Sequence, residues 1–150
     1  MLFIGIDPGV HTGLAVWDSS QGKFIEVDTK SISSALLEVL RYAANFGREN
    51  VTVVMEDARK RKWLPREKDL SEYRGKLMGA GSVKRDCAIW QQFCKEEDIC
   101  LEALPPRQGL TKWTPEYWAK VTGWKGRTSD HARDAALLVY QATPKTYMRP

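Results

Sequence analysis

The apolar positions of this chain fall into short blocks of two kinds. Residues 2–7, LFIGID, and 51–56, VTVVME, are apolar almost throughout, and each ends on an acid. Runs of that length without alternation read as strands buried on both faces. Pro8-Gly9 marks a turn after the first. LAVWD (14–18) makes a second strand, and Gln21-Gly22 turns the chain into KFIEVDT (23–29), a third, carried by Phe24, Ile25 and Val27. Connections this short imply an antiparallel meander. Ser33 or Ser34 caps a helix in which Leu36, Leu37, Leu40, Ala43 and Ala44 recur at helical spacing, and Gly47 closes it. Because a helix precedes 51–56, that fourth strand is expected to run parallel to the first.

The second half reads more coarsely. Residues 57–65 are a basic loop ending at Pro65, and 67–78 can be helical. Gly79-Ala80-Gly81 interrupts, and Ser82 caps a new helix with Val83, Cys87, Trp90 and Cys94 inward. ICLEAL (99–104) is a fifth strand, stopped by Pro105-Pro106. Thr114 caps a short helix that opens on Pro115. The last helix spans 130–141, with Ala135, Leu138 and Val139 packing inward. The expectation is a single α/β domain over 1–150.

Composition narrows this little. A chain of 150 residues can bury about 70% of its unfolded surface. No apolar run approaches the roughly 20 residues of a membrane span, and MLFIGID lacks the basic stretch of a secretory leader. The expected setting is cytoplasmic: at the nucleoid, or in a host cell if the gene is phage-borne. Cys87, Cys94 and Cys100 lack metal spacing and read as small buried thiols. Charge is more informative. The net charge is +4, and Arg59, Lys60, Arg61, Lys62, Arg66, Lys68, Arg74 and Lys76 crowd one segment against Glu67, Asp69 and Glu72. Such a cluster suits a phosphate backbone, or else is a solvated face.

The chemistry lies in the acids. Adjacent parallel strands would set Asp7 and Glu56 side by side at one sheet end, where α/β sheets carry their sites. Two such carboxylates repel, and a hard cation such as magnesium or manganese resolves the repulsion. SDHARDAA (129–136) supplies further ligands. On a helix Asp134 lies about 60° from His131 and about 40° from Asp130. Asp134 ranks first and His131 next, while Asp130 is either a helix cap or a reserve ligand. Imidazole in a magnesium site is unusual, so His131 either holds metal or acts on a water or phosphate. His11, near the first turn, reads as a turn residue or a support for a ligand. The set matches two-metal phosphodiester hydrolysis, which requires no protein nucleophile.

With IGIDPGVHTGLAV, VVMED, ALPPRQ, KVTGWKGR and HARDAALLV in this order, the chain resembles the RuvC-type Holliday-junction resolvases of the RNase H-like superfamily. The resemblance implies a mixed five-stranded sheet, three strands antiparallel and two parallel, flanked by helices. It implies a homodimer that nicks four-way DNA junctions symmetrically with magnesium, manganese substituting, at two ions per site. Position by position it makes Asp7 and Glu56 the first two acids, Asp134 the last ligand and His131 its partner. Arg107, Lys120 and Lys125 become DNA contacts, beside Arg59, Lys60, Arg61 and Lys62 of the basic segment. The chain is shorter than the family between VTGWKGR and HARDAA, and the basic loop ARKRKWLPREK is its own, as in a divergent or phage-like member. Trp63 in that loop either stacks on an unpaired base or packs on its own domain. Trp118 reads as core, with Trp113 and Trp124 undecided. Three rivals remain: another RNase H-like nuclease acting on flaps or RNA–DNA hybrid, an inactive junction-binding module, and an actin-like ATPase. The last needs a second domain, which 150 residues do not supply.

Overall fold

The computed structural model describes residues 1–61, 70–106 and 112–147. Five strands, β1 (Leu2–Asp7), β2 (Thr12–Asp18), β3 (Lys23–Lys30), β4 (Val51–Glu56) and β5 (Cys100–Leu104), lie in the order β3-β2-β1-β4-β5. The first three form the antiparallel meander, and β4 and β5 join parallel to β1. The helices are α1 (Ile32–Phe46), α2 (Leu70–Glu96), α3 (Pro115–Thr122), α4 (Asp130–Val139) and the single turn α5 (Pro144–Tyr147). Among the described residues no helix is long and apolar enough to cross a membrane.

Period-two alternation along the central strands separates two cores. Leu2, Ile4, Ile6, Val51, Val53 and Met55 pack with Val39 of α1 and with Cys87, Trp90 and Cys94 of α2. Phe3, Ala15, Trp17 and Val54 pack on the other face with Trp118 of α3 and Ala132, Ala135, Ala136 and Val139 of α4. Both faces are covered, which is why the first and fourth strands read as unbroken apolar runs.

Helix α4 lies directly on the sheet backbone. A Cβ at Gly5 would fall 2.0 Å from the Ala135 carbonyl oxygen, and one at Gly13 would fall 2.0 Å from that of His131. Glycine is therefore required at both positions by close approach. Gly13 pairs with Asp7 across β1 and β2, so this docking delivers the first turn of α4 to the end of β1.

Some elements differ from expectation. Helix α1 is capped by Ser31, whose side chain accepts from the Ser34 amide, and Leu37 points to solvent at 66% exposure. The inward face is Ala35, Val39, Tyr42 and Ala43. Helix α2 runs unbroken through Gly79-Ala80-Gly81. Each glycine there costs a helix roughly 1 kcal/mol, and the inward anchors Cys87, Trp90 and Cys94 further along the same helix offset that cost. Cys100 is exposed, unlike the other two cysteines.

Tyr42 lies on the buried face of α1, and its hydroxyl donates to Glu26 Oε2 at 2.9 Å. Burial first, then the hydrogen bond to Glu26 and its charge, push the phenol up to about 12. A raised phenol stabilises the fold below its unfolded value near 10, and that contribution is lost as pH climbs from about 10 to 12. Tyr42→Phe is expected to flatten that alkaline loss in urea titrations run across the window. An unchanged pH slope would show that Tyr42 does not titrate with unfolding.

Candidate active site

The alternation that divides the cores also aims the acids. Asp7 continues the face of Phe3 and Gly5, and Glu56 continues that of Val54, so both leave the sheet on the α4 side. The register pairs Ile6 with Met55, which sets Asp7 and Glu56 on neighbouring strands one step further on. From α4, His131 Nδ1 lies 2.8 Å from Asp7 Oδ2. Asp134, one turn later, is close enough that its charge acts on Asp7. The structure thus brings Asp7, His131 and Asp134 together, with Glu56 beside them on β4.

Burial pushes the Asp7 carboxyl above its ordinary range. The His131 hydrogen bond and charge oppose that rise, while repulsion from Asp134 adds to it. Asp130 is not the cap of α4. Ser129 caps the helix by accepting from the Ala132 amide at 3.0 Å, and its hydroxyl also bonds Thr29 of β3. Asp130 is the first helical residue and pairs with Arg133. An alcohol with short reach fits the cap geometry, which leaves the acid beside it to meet the guanidinium one turn on.

Three residues that periodicity does not mark hold this arrangement. The Arg133 side chain is 6% exposed. Its Nε donates to the Trp113 carbonyl at 2.9 Å and its Nη1 to the Thr128 carbonyl at 2.7 Å, so α4 is tied to the segments on both sides of α3. Lys112 Nζ lies 3.4 Å from Asp134 Oδ2. Asp57, buried directly after Glu56, accepts from Arg59 Nε and Nη2, each at 2.8 Å. The Arg59 guanidinium holds the Asp57 carboxyl below its usual range. Nothing in the sequence spacing marks Asp57 or shows that it pairs with Arg59.

The remaining candidates are dispersed. Arg59 is committed to Asp57, and Lys60 Nζ reaches the Ala103 carbonyl. Arg61, Lys120 and Lys125 are exposed, as is His11. Lys62, Trp63 and Arg107 lie outside the described residues. Trp118 is core at 1% exposure. Trp113 packs edge-on to Tyr117 with ring centroids 4.9 Å apart, and Trp124 packs against the same core.

Among the described residues no three His, Cys, Asp or Glu side chains converge closely enough, as they stand, to hold a metal ion. His131 and Asp7 bond each other, and Lys112 lies against Asp134. The donor chemistry nevertheless fits a hard divalent cation. Three carboxylates face one sheet end, and that of Asp7 is raised by desolvation and by a like charge, a conflict that a cation offsets.

No family model matches this chain, and no curated protein matches its sequence. Its fold does have a solved counterpart. The structure of T. thermophilus RuvC in complex with Holliday junction substrate aligns over 94% of this chain and 92% of that one, with a TM-score of 0.56 and 19% identity. The fold is RuvC-like. The shared fold is a five-stranded mixed sheet flanked by helices, RNase H-like in architecture. At 19% identity the likeness is one of architecture, and the side chains carry the functional argument.

Proposed function

We propose that this RuvC-like chain is a metal-dependent endonuclease that resolves four-way DNA junctions by paired nicks. The observation that carries the proposal is the 2.8 Å contact between His131 and Asp7, which closes α4 onto the strand end beside Glu56. That the solved counterpart holds a Holliday junction supports the choice of substrate.

Asp7, Glu56 and Asp134 would hold magnesium or manganese, with Asp130 as a reserve carboxylate. Two bound ions would activate the attacking water and stabilise the leaving 3′ oxygen. The protein's own part is positional. Gly5 and Gly13 let α4 lie against the sheet, Arg133 fixes the helix ends, and Asp57 with Arg59 fixes the turn after Glu56. His131 Nδ1 bonds Asp7 Oδ2, so it sets which Asp7 oxygen remains available to a ligand. Arg61, Lys120 and Lys125 would contact phosphates, with Lys60, Lys62 and Arg107, while Trp63 would stack at the open junction centre. A homodimer would present two such sites to opposed strands.

The test is a labelled panel of four-way junction, duplex, flap and RNA–DNA hybrid, each with magnesium. Symmetric nicking of the junction, at least about tenfold over the others, is expected. Cleavage of the hybrid or flap alone would replace this reading with that of another RNase H-like nuclease. Junction binding without any nicking would leave a binding module.

A further inference from the structure

Lys112 has no role in the reading above, yet it stands among its acids. Its Nζ lies 3.4 Å from Asp134 Oδ2 and 3.8 Å from Asp130 Oδ2. Its charge also reaches Asp7, where it opposes the rise in that carboxyl. Two further observations separate it from an ordinary surface ion pair. First, its backbone is anchored. The carbonyl of the next residue, Trp113, accepts from buried Arg133, which shares a helix with Asp130 and Asp134. The Trp113 ring is held in turn against Trp118 and Tyr140. Second, the side chain itself is 67% exposed, so it can leave without disturbing any packing. A fixed base and a free arm suit a charge that holds a place and yields it.

We propose that Lys112 is a positioning residue that competes with the divalent cation for Asp134 and Asp130. The inference rests on the metal-site reading above and adds to it a built-in rival for the ligands. In the cation-free protein the ammonium screens the helix carboxylates from Asp7. Loading the site then requires that the ammonium be displaced. Lys112 therefore lowers cation affinity.

The test is calorimetric titration with Mn2+ alone, at low salt, on wild type, Lys112→Ala, Lys112→Arg and Lys95→Ala. Lys95 is an exposed residue in the last turn of α2 and serves as the control for net charge. Lys112→Ala is expected to bind Mn2+ about tenfold more tightly than wild type, the scale of removing one unit charge a few ångströms from a divalent ion in a water-like dielectric. Lys112→Arg and Lys95→Ala are expected to stay within about twofold of wild type. Equal affinity in wild type and Lys112→Ala overturns the competition while leaving the metal site standing, and so does weaker binding in Lys112→Ala. An equal gain in Lys95→Ala reduces the effect to net charge and overturns it as well. If neither protein takes up Mn2+, this inference and the metal-site reading both fail.

Discussion

Asp7→Asn is expected to lower junction nicking by on the order of a thousandfold, about 4 kcal/mol of transition-state stabilisation, with junction affinity nearly unchanged. The substitution keeps the shape and keeps an oxygen that accepts from His131, so it removes charge and little else. It should also raise the stability of the metal-free fold at neutral pH. The Asp7 carboxyl is raised by burial and by Asp134, so its ionised form is disfavoured in the folded chain. For a carboxylate raised on folding, ionisation costs stability increasingly as pH rises through its unfolded value, and an amide avoids that cost. Magnesium should raise the melting temperature of wild type and fail to raise that of Asp7→Asn. Nicking that survives Asp7→Asn would remove Asp7 from the chemistry. His131 extends the same test. If it acts as a ligand or a proton carrier, His131→Asp retains more activity than His131→Ala.

Gly13→Ala is expected to cost about 3 kcal/mol or more, at the upper end for overpacking, or about 6–12 °C in melting temperature at this length. The atom met by the new Cβ, at 2.0 Å, is a main-chain carbonyl oxygen of His131, so relief requires moving α4 itself. Gly5→Ala meets Ala135 at the same distance and should cost a similar amount. The two differ in consequence, since lifting the helix at Gly13 also breaks the contact between His131 and Asp7. Gly79→Ala is the contrast. It is an exposed helical glycine with nothing within 4 Å of an added Cβ, and it should gain about 0.5–1 kcal/mol. Denaturant midpoints of the three variants check the set. Three equal values would mean that α4 does not bear on the sheet at these glycines.

Much of this site could be read before the fold was seen, for a physical reason. An apolar run ending in an acid reports both a buried strand and the place where it emerges, so Asp7 and Glu56 were legible. Asp134 followed from an apolar helix face beginning right after it. What was not legible depends on contacts distant in sequence. Nothing local marks Gly13 as a contact point, because the helix lying on it arrives 118 residues later. Arg133 reads as a surface charge until Trp113 and Thr128 surround it. Lys112 belongs to no periodic pattern at all. Helix α2 was misread as broken because local glycine propensity suggests a break that tertiary packing overrides.

The pairing of Asp7 with His131 spans 124 positions in the chain. Synthesis proceeds from the N-terminus at about 5–20 residues per second. Asp7 and Glu56 therefore emerge from the ribosome well before the helix that completes their surroundings. A chain stopped short of α4 carries two of the acids but exposes the glycine-floored face of its sheet, and it has no His131 or Asp134. On the proposed reading such a fragment cannot cut DNA, and its uncovered apolar face marks it for chaperones and proteases. On that reading the order of the elements makes synthesis of α4 a condition for acquiring activity.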